Sequence, residues 1–471
     1  MSGDANYPFS RTPVTVPFVE TRYRRIRTPL PVPESLPLLE TLERYEPRSM
    51  ALDQLPVVWD RAEGYQVYDP YGNCWIDFSS GIFVANIGHG HPEVQNAIAE
   101  VVSKPLLHNY YFPSEIRAKF VEKLIQLMPK SLDTAFLLTT GSESTECAIK
   151  LARMHGLKIH PGKLGIVSLT LGFHGKTLGA QTASGRPAAK WWIGALDPNF
   201  HQIPVPFCMR CPWGRARYEH CGAECFVQGL KQLEAQGVDL NTIAAFLIEP
   251  YQGWSAAFMP DDFVQAMREW ATAHQALLIF DEVQSGFGRT GRLFAYEHYG
   301  VEADLVCCGK GISSGLPLSA VIGRRDLLDV DPSLNSTHGG NPVCCAAALA
   351  TLRVLERENL TAHAAELGRT LEPHLQAIAD RHADYVHTVQ GRGLVWAIHI
   401  INPQTGELDS RLSDLITERA MHKGVMLVRT GVGTVKLGPP LCIPEAAALE
   451  GVQAISEAIA EVVREAAGRS I

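Results

Sequence analysis

Short apolar runs along this chain alternate with longer segments in which apolar residues recur every three or four positions. The runs are TAFLLTT (134–140), GIVSLT (165–170), AAFLIEP (244–250), ALLIFDEV (276–283) and DLVCCGK (304–310). Each is nearly continuous in its apolar part, which predicts a strand buried on both faces. SESTECAIKLARMHG and PDDFVQAMREWATAHQ lie between them with helical spacing. The alternation predicts an α/β fold, a mostly parallel sheet with helices on both faces. Upstream, YQVYDPYGNCWIDF alternates apolar and polar residues around a YGN turn and predicts a hairpin, and HPEVQNAIAEVVSK predicts a helix. From Pro342 onward helices dominate, with the strand GLVWAIHI (393–400) among them. The expected division is an N-terminal arm and hairpin segment (1–95) packing with a small domain. A large domain (96–342) with a four-cysteine insert (208–225) follows, then the C-terminal small domain (343–471). The basic, proline-rich TRYRRIRTPLPVPESLP reads either as an arm lying on the body or a partner subunit, or as a solvated tail.

Composition narrows the function classes. Hydrophobic residues make up 46% and charged residues 20% of 471, which fits a folded chain rather than a disordered one. The 42 basic and 50 acidic residues give a net charge of -8. That argues against nucleic acid or an anionic membrane as the main partner. No apolar run is long enough to span a bilayer. The N-terminal residues lack a secretory pattern, and eleven cysteines in so long a chain do not form a disulfide scaffold, so a cytoplasmic protein is expected.

In open parallel sheets, ligands bind beyond the carboxyl ends of the strands. Here those ends carry Gly141 and Ser142, Glu249, Asp281 and Lys310. A lysine after a buried strand is costly to desolvate unless something uses it. Gly141-Ser142 open a helix, where backbone N–H groups either bind phosphate or are simply capped. Asp281 is a helix cap, half of a buried ion pair, or the partner of a protonated ring nitrogen. A Schiff-base lysine, a carboxylate for a pyridinium and a phosphate cradle are the groups that pyridoxal phosphate requires.

The stretch IFDEVQSGFGRTGRLFAYEHYGVEADLVCCGKGISSGLPLSAVIG resembles the signature region of the class III pyridoxal-phosphate aminotransferases, the group that includes 4-aminobutyrate aminotransferase. GHGHPEV, TTGSES, FHGKT, IEPYQG, THGGNPV and GRGLVWAI appear in the family's order, so the resemblance spans roughly residues 45 to 465. It implies fold type I, the aspartate-aminotransferase-like fold, and a homodimer with shared active sites. It also implies roles for individual residues. Lys310 would carry the cofactor as a Schiff base and then shuttle the substrate proton. Asp281 would keep the ring nitrogen protonated. Val283 and Phe173 would sandwich the ring, Gln284 would reach its phenolic oxygen, and Glu249 would orient Gln284 or its surroundings. Gly141 and Ser142 would hold the phosphate, and Thr337 would reach the phosphate in the neighbouring subunit. His174 either supports the site or is a packed core histidine.

Three positions depart from the family and bear on substrate. Trp254 stands where glutamate-using members carry a glutamate, and Lys436 where they carry an arginine. Lys176 replaces the arginine of HGRT. A lysine attracts a carboxylate without the two-pronged fork, so 2-oxoglutarate is in doubt as acceptor. Transfer from an amino acid, ω-amino acid or amine to a small 2-oxo acid such as pyruvate remains in keeping with the motifs. So does an amino-acid racemase or epimerase, because both outcomes begin by removing the same proton. Finally, Cys208, Cys211, Cys221 and Cys225 follow a C-x2-C-x9-C-x3-C pattern. The set is able to hold zinc or an iron–sulfur cluster, or is a loop of reduced thiols. A non-catalytic metal- or cluster-binding protein is the third reading, and the presence of Lys310 and Asp281 weighs against it.

Overall fold

The computed structural model describes residues 8–51, 54–208, 211, 213–214 and 220–468. Residues 1–7 of the expected arm and most of 209–219 in the cysteine insert lie outside the described residues. The chain separates into two units, Met1–His91 with Ala365–Ile471, and Pro92–Ala364. The sequence had placed the later boundary at 342/343. Helix Pro342–Arg357 packs instead on helices Pro92–Ser103 and Glu115–Gln126 of the second unit. It is buried along most of its length through Ala346, Ala347, Ala348, Leu349 and Ala350. A helix apolar on nearly all sides has to be enclosed, and these small residues let its neighbours approach closely.

The second unit is built on seven strands: β1 (Thr134–Leu138), β2 (Gly165–Leu169), β3 (Phe200–Ile203), β4 (Ile243–Ile248), β5 (Leu277–Asp281), β6 (Leu305–Cys308) and β7 (Ser319–Gly323). Their order is β1-β7-β6-β5-β4-β2-β3. Strand β7 runs antiparallel to both neighbours, and every other pairing is parallel. All residues of β2, β4, β5, β6 and β7 are buried, as continuous apolar runs demand. The five strands expected from the sequence are present to within two residues at each end. Strands β3 and β7 were not expected.

Helix α1 (Gly141–Ile159) covers one face of this sheet. Ala148, Leu151 and Ala152 meet Leu247, Ile279, Leu305 and Val321 in one core. Full burial of each large apolar side chain is worth about 1.5–3 kcal/mol. Two hydroxyls tie α1 to β7: Ser144 Oγ donates to the Ala320 carbonyl at 3.0 Å, and Ser319 Oγ to the Thr140 carbonyl at 2.7 Å.

In the first unit, the expected hairpin pairs Gln66–Tyr68 with Cys74–Asp77, and Val425–Met426 joins the latter in parallel. Val386–Arg392, Val395–Ile400, Thr434–Leu437 and Val428–Thr430 form an antiparallel sheet. The described part of the arm is held on this unit. The Ser10 N–H donates to Glu418 at 2.9 Å, and Arg24 pairs with Glu450 at 2.8 Å and donates to the Lys423 carbonyl. No helix among the described residues is long and apolar enough to cross a membrane.

Candidate active site

The carboxyl ends of β1, β5 and β6 converge through two glycines and one valine. A Cβ on Gly141 would lie 2.8 Å from Val283 Cγ1, and one on Gly309 3.2 Å from the same methyl. Absent side chains at 141 and 309 let three strand ends close around Val283. Gly141 begins α1, whose first turn is fixed by a capping box between Thr140 and Glu143. Glu143 accepts the Thr139 and Thr140 N–H groups, both at 2.9 Å. Gly175 approaches so closely that a Cβ there would fall 2.3 Å from Ser142 Oγ, and the Lys176 N–H points at that hydroxyl.

Lys310 follows β6 with φ +42°, in the left-handed region that a non-glycine residue enters only at a cost. The preceding Gly309 is extended, at φ -176°. Burial lowers the ammonium pKa, and the charges of Asp281 and Glu249 offset this only in part. Among the described residues, Lys310 makes no hydrogen bond or ion pair with protein. Although protein surrounds it, the side chain keeps accessible surface, as expected beside a cavity.

Asp281 closes β5 and is 5% exposed. Its Oδ1 accepts the Val283 N–H at 3.1 Å and its Oδ2 lies 2.8 Å from His174 Nδ1. Burial disfavours charged His174, but the hydrogen bond to Asp281 and the charges of Asp281 and Glu249 outweigh it, so its pKa is raised. Glu249, at the end of β4, has both oxygens on backbone: Oε2 accepts the Phe173 N–H at 2.8 Å and Oε1 the Gly253 N–H at 2.9 Å. Burial, partly countered by His174, raises its pKa. A Cβ on Gly253 would meet Gln284 Oε1 at 2.7 Å, so Glu249 orders the backbone against which Gln284 rests. Phe173 keeps 38% of its surface exposed.

These residues suit pyridoxal phosphate. They offer a partnerless lysine amine, a buried carboxylate paired with histidine, an exposed aromatic ring and a helix start crowded by glycines. The remaining expected residues are less concentrated. Thr337 is exposed and its carbonyl lies 3.0 Å from His108 Nε2. Lys176 is also exposed. Lys436 belongs to the first unit, where it is 2% exposed with Nζ 4.6 Å from the Phe83 ring centroid. Trp254 lies in the turn after Gly253, under the guanidinium of Arg186, whose Cζ is 3.5 Å from the ring centroid.

The four cysteines line one pocket with Trp213, whose Nε1 lies 3.0 Å from Cys225 Sγ. All four are free thiols. Burial, then the neighbouring thiols, pushes Cys208 up to about 11, which keeps it protonated. Among the described residues no group of three or more His, Cys, Asp or Glu side chains is placed to hold a metal ion. The expectation of zinc or an iron–sulfur cluster at these cysteines therefore has no support, because metal ligation needs thiolates gathered around one point.

Two residues beside the site were missed in the sequence. Glu282 is fully buried on the opposite side of the chain from Asp281, accepting the Tyr296 N–H at 2.7 Å and the Ser285 hydroxyl at 2.6 Å. The doublet Asp281-Glu282 after an apolar strand was the available signal, since successive side chains point to opposite faces. Arg186 gave only a weak signal, a basic residue between Gly185 and Pro187.

Residues 49–459 match the family model for class III aminotransferases. The chain is 33% identical to an ornithine aminotransferase of Emericella nidulans over 87% of each sequence. It is 31% identical to an alanine/serine racemase of Pyrococcus horikoshii over 97% of each. Among solved structures, a PLP-bound amine transaminase from an uncultivated Pseudomonas species superposes with a TM-score of 0.81 at 29% identity, covering 87% of this chain and 96% of that one.

Proposed function

The chain belongs to the class III aminotransferases, enzymes of fold type I that use pyridoxal phosphate, and from that premise we propose how its own residues move an amino group from an amino acid, ω-amino acid or amine to a small 2-oxo acid. Bound pyridoxal phosphate supplies an aldehyde carbon and an electron-accepting ring. Lys310 would hold that aldehyde through its amine and would carry the proton removed from the substrate carbon. Its lowered pKa favours the neutral, nucleophilic amine. Asp281, steadied by His174, would hold a proton at the ring nitrogen. Gly141 and Ser142 bind phosphate at the start of α1, where the helix dipole favours an anion. Val283 and Phe173 would hold the ring, and Gln284 would serve its phenolic oxygen. Thr337, exposed on its loop, completes the phosphate site of a second subunit in a homodimer.

The observation that carries this reading is Lys310: an unpaired amine, held at φ +42°, under the electrostatic influence of Asp281 and Glu249. Pyruvate is the preferred acceptor, because Trp254 and Lys436 replace the glutamate and arginine of glutamate-using relatives. Lys176, exposed, adds a point charge for an approaching carboxylate. A second reading, an amino-acid racemase, draws support from the Pyrococcus horikoshii relative. A panel of amino donors, incubated with pyruvate, with 2-oxoglutarate or with neither, separates these. Keto product in proportion to acceptor consumed establishes transfer, and loss of enantiomeric excess without acceptor establishes racemisation. Faster turnover with 2-oxoglutarate than with pyruvate overturns the acceptor assignment.

A further inference from the structure

We propose that Arg186, stacked on Trp254, is the receptor for the substrate carboxylate and so determines the preference for oxo acids over uncharged carbonyl compounds. This deepens the aminotransferase reading and rests on it.

Three observations converge on this residue. The first is its fixed place. The Leu171 N–H donates to the Gly185 carbonyl at 2.9 Å, and the Gly185 N–H to the Gly172 carbonyl at 2.8 Å. A Cβ on Gly185 would lie 2.2 Å from the Leu169 carbonyl oxygen, so only glycine passes there. Arg186 therefore leaves the backbone beside Gly172 and Phe173, at the carboxyl end of β2. Two residues earlier, Ser184 Oγ accepts the His174 N–H at 2.9 Å, which ties the same segment to the partner of Asp281.

The second observation is the guanidinium's support. Its Cζ stands 3.5 Å from the Trp254 ring centroid. Stacking satisfies the flat face and leaves the edge, with its forked N–H donors, free to meet a planar carboxylate. Trp254 is itself placed by Gly253, which packs on Gln284 and donates its N–H to Glu249. The ring under the guanidinium is thus tied through Gly253 to Glu249 and Gln284.

The third is the missing counter-charge. No carboxylate among the described residues pairs with Arg186, and its pKa is lowered by burial alone. Glu249, the acid tied to that ring, has both oxygens engaged by backbone N–H groups. Lys190 adds a second cation whose Nζ donates to the Thr182 carbonyl at 2.8 Å. A half-buried guanidinium with no acid of its own is a site for an anionic substrate group. This also explains how a chain with Trp254 and Lys436 in place of glutamate and arginine retains a fork for a carboxylate.

The test compares the holoenzyme with Arg186→Gln and Arg186→Lys variants. Each is assayed with one uncharged amine donor against pyruvate and against propanal. The kcat/KM ratio of pyruvate to propanal is expected to fall about 10- to 100-fold in Arg186→Gln, the range for losing a charged hydrogen-bond partner. Arg186→Lys should recover part of it. Calorimetric titration with propanoate, which cannot react, should show weaker binding to Arg186→Gln by a similar factor. An unchanged ratio with unchanged propanoate affinity overturns the proposal, as does a parallel fall for both carbonyl substrates, which marks Arg186 as structural. If the wild-type enzyme aminates neither carbonyl compound, the aminotransferase reading fails. The propanoate titration then still decides whether Arg186 binds a carboxylate.

Discussion

His174 Nδ1 lies 2.8 Å from Asp281 Oδ2, with both side chains almost wholly buried. The pair answers the desolvation problem at the end of β5, since a buried carboxylate needs a hydrogen-bond partner. The histidine holds Asp281 in one orientation.

Replacing His174 with phenylalanine should therefore leave the fold intact and impair Asp281. Removing the partner of a buried charged group costs about 1–3 kcal/mol, which corresponds to a loss of about 5- to 150-fold in kcat/KM. Cofactor affinity should weaken together with turnover. Spectroscopic titration of cofactor into stripped His174→Phe enzyme checks the first, and steady-state kinetics the second. Unchanged values for both would mean that His174 is only a packing residue.

The lowered pKa of Lys310 has a direct kinetic consequence. Only the neutral amine attacks an aldehyde, so cofactor uptake by the stripped enzyme should speed up as pH rises. The midpoint of that rise should fall below the ordinary lysine value of about 10.4. Stopped-flow absorbance across a pH series measures it. A midpoint at or above the ordinary value contradicts the burial argument.

Glu282 predicts a stability effect of opposite sign to that of a salt-bridged acid. Burial pushes its pKa up to about 7, so the native protein retains a proton there that the unfolded chain loses. Stability is thus highest below the unfolded pKa of about 4.3 and declines as pH rises toward 7. The decline attributable to this group is on the order of 3 kcal/mol. Glu282→Gln should flatten that part of the stability curve, as read by denaturant midpoints at pH 5 and pH 7.5, chosen as roughly either side of the titration. An equal decline in wild type and variant would remove Glu282 as the cause.

Gly141→Ala probes the closure of the strand ends. The new methyl would sit 2.8 Å from Val283 Cγ1, so Val283 or the start of α1 must shift. Overpacking of this kind costs about 1–3 kcal/mol. Cofactor affinity should drop by at least about 10-fold, because both the phosphate end and the ring contact move. Fluorescence titration with cofactor measures it, and wild-type affinity would show that the contact has room to relax.

Much of this architecture was legible in the sequence because burial on both faces leaves a plain mark. Strands β1, β2, β4, β5 and β6 are uninterrupted apolar runs, and the residues at their ends, Gly141, Glu249, Asp281 and Lys310, stand at one edge of the sheet. Strand β7 carries the same apolar character but follows Lys310 too closely to stand out as a separate element, and its antiparallel direction has no local signature. The boundary near 342 was misplaced because helix Pro342–Arg357 reads like the helices after it, while its partners lie far upstream at 92–126. The distribution of protons was also out of reach. That His174 serves Asp281, and that Glu249 holds two amides, depends on side chains brought together over gaps of 107 and 76 residues. Strain at Lys310 is likewise a property of the folded backbone alone.

Borohydride reduction of the purified holoenzyme, followed by peptide mapping, tests the central assignment most directly. Reduction fixes the cofactor to whichever amine holds it. Modification confined to Lys310, and absent from a Lys310→Ala variant, is the predicted result. Modification of a different lysine, or none at Lys310 in enzyme that turns over, would contradict it.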